Sequence, residues 1–384
     1  MKSVGIFRTS FPIKSEAFIR EQARHLTAWR PHIITRRRQG PSDFPLSAIG
    51  DEHSRRLQQL LWTITRWPGF MPLSEFSDIK LVHAHFAFDA VMALPMAKKL
   101  GVPLIVTLHG CDATIDISAY KRSTRITEQW FAHSRPVLQR EAGAFIAVSK
   151  FIENHLLQVG YPRERVIQHY IGTDTERFTP VTVDPNAQRY VLNVARHADG
   201  KGVSTVLRAW ARIASKHPDV QLWQAGDGEL MEEHLRLSAE LGLGDRVRFI
   251  GGLDHAQVLP LMQNATAFCL GSHTTKNGLR EALGIVLNEA SACALPIVAT
   301  RVGGIPEAVR HGETGLICEE QNPEQMAELL DAILSDPTLA RRLGDAGRRF
   351  VCENFNIRTQ SQKLQSIYDS VTAGRGVAHL QDKS

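Results

Sequence analysis

Cysteine is scarce and unpaired. Five residues (Cys111, Cys269, Cys293, Cys318 and Cys352), an odd number without a Cys-x-x-Cys pair, exclude a disulfide framework and a zinc knuckle and fit a reducing compartment. Long apolar runs are also missing: no stretch approaches the roughly 18 residues of a membrane span. Met1–Arg8 leads directly into a strand pattern, so neither a signal peptide nor a transmembrane segment is expected, and the expected location is the cytoplasm. No low-complexity tract or short repeat occurs. What is present is ordinary for a folded protein, with 43% hydrophobic and 22% charged residues, which excludes disordered, collagenous and coiled-coil chains. At about 150 residues per domain, 384 residues predict two domains.

The net charge of +5 is unevenly spread. Residues 1–183 hold 24 Lys+Arg against 16 Asp+Glu, or +8, and residues 184–384 hold 21 against 24, or −3. A basic half suits an anionic membrane surface, an anionic substrate or plain solvation. Nucleic acid is not expected, because no binding module accompanies the basic residues.

Short β-branched or apolar runs alternate with helical patterns, as in parallel sheets covered by helices. Candidate strands are Val4–Phe7, His32–Thr35, Leu81–His83, Leu104–Leu108, Ala144–Val148 and Val166–Ile167. A second set follows at Tyr190–Ala195, Val220–Ala225, Val247–Ile250, Ala267–Leu270 and Ile297–Thr300. Thr179–Gln188, with two prolines and no periodicity, reads as a linker. The expectation is α/β: two doubly wound, Rossmann-like domains, 1–183 and 184–355, with ligands bound at the carboxyl ends of the strands. A helical tail, 356–384, is expected to cross back to the first domain.

The strand Tyr190–Ala195 is followed by Arg196-His197-Ala198-Asp199-Gly200-Lys201-Gly202, two fixed cations and two glycines where a strand turns into a helix. That suits a diphosphate, and equally a solvated turn. Further on, Glu281 and Glu289 stand eight residues apart around Gly284 and the apolar run Ile285-Val286-Leu287. Amides near Gly284 and Ile285 would be free at a helix start, and the apolar surroundings suggest a buried helix on which an unpaired Glu289 would be costly.

Glu281-x7-Glu289, preceded by Arg196 and Lys201 and followed by Ala299-Thr300-Arg301-Val302-Gly303-Gly304-Ile305-Pro306-Glu307, resembles glycosyltransferase family 4. Gly226-Asp227-Gly228-Glu229, Phe249-Ile250-Gly251-Gly252 and Gly312-Glu313-Thr314-Gly315-Leu316 match in the same order. The resemblance implies the GT-B fold and transfer of a sugar from a nucleotide donor, UDP- or GDP-linked, with retention of configuration. It implies that Arg196 and Lys201 hold the diphosphate, Glu289 the ribose, and Glu281 with the Gly284 and Ile285 amides the transferred sugar. His109, in His109-Gly110-Cys111-Asp112, would line the donor sugar pocket, with Asp112 on the acceptor side. No Asp-x-Asp pair follows a strand, so no metal or other cofactor is expected.

The first loop departs from the commonest family pattern, having no Gly-Gly turn. Its Ser15-Glu16-Ala17-Phe18-Ile19 resembles bacterial exopolysaccharide glycosyltransferases of the colanic-acid type, implying an acceptor-side role for Ser15 and Glu16 and a glycan acceptor, lipid-linked, at the inner face of the plasma membrane. A soluble small-molecule acceptor, or another GT-B activity such as an epimerase or phosphorylase, is the alternative. His83-Ala84-His85 allows two rings on one strand face, a metal-hydrolase start or a polar cleft wall. Arg55–Trp67, with Arg36-Arg37-Arg38 nearby in sequence, combines basic and aromatic residues. It reads as an interfacial helix presenting Trp62 and Trp67, or as an amphipathic helix packed on its own sheet.

Overall fold

A computed structural model describes the chain except for residues 14–15, 50–55, 68, 70–72 and 384 and the side chains of 381–383. One sheet contains β1 (Lys2–Phe11), β2 (Trp29–Arg38), β3 (Leu46–Ala48), β4 (Ile79–His85), β5 (Leu104–Leu108), β6 (Ala144–Ala147) and β7 (Val166–Gln168), in the order β3-β2-β1-β4-β5-β6-β7. The other contains β8 (Arg189–Val194), β9 (Val220–Ala225), β10 (Val247–Gly251), β11 (Ala267–Leu270), β12 (Ile297–Thr300) and β13 (Leu316–Cys318), in the order β10-β9-β8-β11-β12-β13. The paired strands run parallel. β5, β6, β11 and β12 are buried along their whole lengths, which is why they read as unbroken apolar runs rather than alternating ones. Both sheets are doubly wound, and their order reverses between β1 and β4 and between β8 and β11. Those reversals are where such sheets open a ligand crevice.

The chain forms two compact units, Met1–Gly172 with Arg358–Ser384, and Thr173–Ile357. The expected boundary at 183 therefore moves to Gly172. Thr173 donates its N–H to the Phe355 carbonyl at 2.7 Å and accepts from Ile357 at 3.0 Å, Phe178 is buried, and Thr179 receives a hydrogen bond from Gln263 at 2.9 Å. These contacts hold Thr173–Thr179 in the second unit. The helices Pro323–Ser335 and Pro337–Asn354 belong to the second unit, whereas Ile357–Thr372 packs almost wholly in the first. Its Leu364, Ile367, Tyr368 and Val371 share a core with Val4, Ile6, Trp29 and Ile105. Each such side chain stabilises by about 1.5–3 kcal/mol when fully buried.

Several histidines are buried and kept uncharged. Burial lowers His83 to about 3, and His169 and His197 each to about 4. An unfolded chain protonates these rings near pH 6.5 while the folded chain does not, so stability held above that pH is lost as the pH falls towards 4. At pH 5 the cost is about 2 kcal/mol per ring. His169 Nε2 contacts the Gln360 carbonyl at 2.8 Å, a bond an amide reproduces. In urea unfolding between pH 7 and 5, His169→Gln is expected to flatten the decline by close to one proton's worth of slope. An unchanged slope would remove His169 from this account.

Candidate active site

In the second unit two loops flank the β8/β11 reversal. After β8 the chain turns through Ala195–Gly202 into the helix Val203–Ile213, and after β11 through Gly271–Gly284 into the helix Ile285–Ala292. These loops bring Lys201 and Glu281 together across 80 residues of sequence: Lys201 Nζ donates to Glu281 Oε2 at 2.7 Å. Ser272 Oγ lies 3.4 Å from the same oxygen, and the Glu281 side chain is only 16% exposed. Gly304 supports the loop from below, donating its N–H to the Glu281 carbonyl at 2.9 Å. Gly284, at φ 82°, is the residue before the helix and offers no side-chain cap. The first-turn amides, Ile285 and Val286, therefore have no helical acceptor, and the helix dipole adds partial positive charge there.

Glu289 lies on the same helix one turn further on, and its carboxylate meets His255 Nε2 at 2.7 Å. His255 opens the helix His255–Asn264 and lies against the Phe178 ring. The burial expected of this helix holds for Leu287, Asn288 and Ala290, and His255 is the partner that offsets the cost of Glu289. Arg196 points outward, its side chain 60% exposed, and contacts Glu229 at 3.3 Å. Each of the two cations expected to clamp a diphosphate thus holds its own carboxylate.

The first unit has its own cluster at the β1/β4 reversal. Arg8, near the end of β1, is buried and forms a forked pair with Glu16 at 2.6 and 2.7 Å. It also pairs with Asp89 and donates to the His85 carbonyl at 2.9 Å. Both oxygens of Glu16 are therefore occupied by Arg8, which makes Glu16 a brace for the β1 loop; the expected acceptor-side carboxylate is not free in this structure. Ser15 lies outside the described residues.

His85 ends β4 and His109 follows β5. These strands are neighbours, and the rings meet at 3.1 Å between His85 Nδ1 and His109 Nε2. Burial, with the Arg8 guanidinium adding to it, holds both rings well below the usual imidazole range, so His109 is neutral at pH 7. Phe86, between β4 and the helix Ala87–Leu100, has φ 74°, a strained conformation for a non-glycine residue. Its ring contacts His109 and lies under Arg8, each at 4.5 Å. Strain of this kind concentrates at functional sites.

Asp112 is buried. It accepts the N–H groups of Ala87 at 2.8 Å, His109 at 2.9 Å and Gly110 at 3.1 Å, while burial raises its carboxyl to about 6. The expected acceptor-side residue is instead the clasp that orients the His109 loop. In His83-Ala84-His85, His83 has both ring nitrogens engaged, with the Tyr368 hydroxyl at 2.6 Å and Thr107 Oγ1 at 2.7 Å. That favours the polar wall over a metal ligand. Among the described residues no three His, Cys, Asp or Glu side chains group to hold a metal ion.

Sequence reasoning missed Ser272, His255 and the role of Arg8. Only Arg8 carried a usable signal, a charged residue directly after the apolar run Val4–Phe7.

Residues 174–350 match the model of glycosyl transferases group 1, and residues 15–177 that of Glycosyltransferase Family 4. A GDP-mannose-dependent alpha-(1-6)-phosphatidylinositol monomannoside mannosyltransferase from Mycolicibacterium smegmatis is 30% identical over 307 residues, covering 76% of each chain. This chain belongs to glycosyltransferase family 4. An N-acetyl-alpha-D-glucosaminyl L-malate synthase from Bacillus anthracis is 28% identical, over 78% of this glycosyltransferase and 76% of that enzyme. Among solved structures, an Anabaena protein, HepE, crystallised with UDP and glucose, superposes with a TM-score of 0.77 at 20% identity, over 96% of this chain and all of that one. The doubly wound units of this glycosyltransferase thus have the GT-B fold.

Proposed function

We propose that this glycosyltransferase moves a hexose from a UDP- or GDP-linked donor to a lipid-linked glycan, with retention of configuration and without a metal ion, in bacterial surface or exopolysaccharide synthesis in the cytoplasm. The observation that carries the reading is the Lys201–Glu281 pair beside the open amino end of the helix Ile285–Ala292. Lys201, Arg196 and the first-turn amides, among them Ile285 after Gly284, supply positive charge where a departing diphosphate gains negative charge. Glu281 accepts hydrogen bonds from hydroxyls of the transferred sugar, and Glu289, oriented by His255, from those of the ribose. The bond between C1 and the diphosphate oxygen breaks as the acceptor oxygen bonds to C1 on the same face, and the acceptor's proton passes to a diphosphate oxygen.

A lipid acceptor is supported by the phosphatidylinositol monomannoside in the name of the Mycolicibacterium relative. The malate synthase relative favours a second reading, a small soluble acceptor. A thermal-shift panel of UDP- and GDP-sugars identifies the donor, since a ligand at 100 times its Kd stabilises by about 2.7 kcal/mol. With the donor in hand, product NMR is expected to show the donor's anomeric configuration, and turnover is expected to survive EDTA. An inverted product, or loss in EDTA with rescue by manganese, would overturn the mechanism.

A further inference from the structure

The helix Arg56–Thr65 in the first unit is turned inside out. Its apolar residues Leu57, Leu60, Leu61 and Ile64 follow the i, i+3, i+4, i+7 spacing that ordinarily faces a core, yet they are 68%, 56%, 38% and 47% exposed. Trp67, just beyond the helix, is 60% exposed. The side that meets the sheet is the more polar one. Thr63 Oγ1 accepts from Arg36 at 2.9 Å and Gln59 donates to the Arg36 carbonyl at 3.2 Å. Trp62, which the interfacial reading would present outward and the packed reading would not, is buried against Phe7, and Arg66 stacks on Trp130 at 4.1 Å.

The same hydrogen bonds seat the helix against the carboxyl end of β2, where Arg37 and Arg38 are exposed. Among the described residues no carboxylate pairs with Arg37, Arg38 or Arg56, and the helix itself has no acidic residue. Arg55, Asp51 and Glu52, which precede it in sequence, lie outside the described residues.

We infer that this face docks on an anionic lipid bilayer, with the helix lying in the plane of the interface. An exposed apolar stripe with a tryptophan just beyond it, on a helix seated at a strand end that carries exposed arginines, matches the layering of such a surface, where side chains enter the acyl boundary and cations meet phosphate headgroups. A second copy of the chain is the poorer occupant, since symmetric packing of this face would bring Arg37, Arg38 and Arg56 of both copies together.

The test is co-sedimentation with vesicles of phosphatidylglycerol and phosphatidylcholine, without donor or acceptor, so a failure here and a failure of the transferase reading are separately visible. The full chain is expected to bind anionic vesicles at low salt and pure phosphatidylcholine weakly. R37Q/R38Q is expected to weaken binding on the order of twentyfold at low salt. L57Q/L60Q/I64Q, which keeps helix propensity, is expected to lose the portion that persists at high salt, about tenfold or more. Circular dichroism and the melting temperature of both variants establish that they are folded. Wild type that ignores anionic vesicles, or a leucine-face variant that binds as well as wild type, overturns the inference. So does light scattering that shows a dimer abolished by L57Q/L60Q/I64Q, which would assign the face to a second copy.

Discussion

Changing Glu281 to Gln is expected to lower kcat by about 10²–10³-fold while leaving nucleoside diphosphate affinity within about threefold, because an interaction made to the transferred sugar acts in turnover and not in product binding. Lys201→Ala is expected to weaken binding of the free diphosphate by about 10- to 150-fold, the effect of losing a charge-assisted contact of about 1.5–3 kcal/mol. The pair at 2.7 Å adds a condition that separate roles would not carry. Each variant strips the other residue of its partner, so the double variant should fall short of the product of the two single losses. Calorimetry with UDP and GDP, together with steady-state kinetics, measures all four corners of that cycle. Multiplicative losses, or diphosphate binding reduced as far by Glu281→Gln as by Lys201→Ala, would count against the division of roles.

Gly303→Ala is expected to produce a large loss of stability. At φ 56° the residue is left-handed, and a Cβ built there lies 1.9 Å from the Glu281 carbonyl oxygen, a backbone atom that cannot turn aside. Left-handed strain alone costs about 1–2 kcal/mol, and displacing a buried loop peptide carries the total beyond about 4 kcal/mol. Gly312 isolates the first part. Its φ is 78°, but nothing lies within 4 Å of its Cβ position, so Gly312→Ala should cost only the strain. With about 2–4 °C per kcal/mol for a unit of this size, Gly303→Ala should melt about 8–16 °C or more below wild type and Gly312→Ala about 2–8 °C below, with the Gly303→Ala shift at least twice the other. Equal shifts would mean that the contact with the Glu281 loop is relieved by movement. Because the moved peptide carries Glu281, any folded Gly303→Ala protein should also be slower than its stability alone accounts for.

How far the sequence was readable depends on whether a feature is local. Leu104–Leu108 forms β5 as expected because a strand buried on both faces leaves a continuous apolar signature. β3 and β13, three residues each at sheet edges, are too short to show any period. Lys201, Glu281 and Glu289 were singled out through motif order, but the side chains they contact, Ser272 and His255 among them, were not. His255 precedes Glu289 by 34 positions in an unremarkable helix start, and only the folded sheet brings it near. Asp112 and Glu16 looked like ligand-facing carboxylates because sequence does not report which backbone amides or guanidinium will claim them. The helix Arg56–Thr65 is the most instructive difference. Its apolar spacing was legible, but periodicity gives an angle around a helix axis and not the identity of what lies in that direction.

The return of Ile357–Thr372 to the first unit has a consequence for how the protein is made. On the ribosome the second unit is complete while the first still lacks Leu364, Ile367 and Tyr368 from its core. Translation of Thr173–Ile357 at about 5–20 residues per second lasts on the order of 10–40 s. During that interval Trp29 lacks its edge contact with Tyr368, and His83 lacks the hydroxyl at 2.6 Å. The nascent first unit therefore waits as an incomplete domain, open to chaperones and to mispairing, while a later-born neighbour can fold ahead of it. Gene fusions or truncations that cut before Arg358 would make that waiting state permanent.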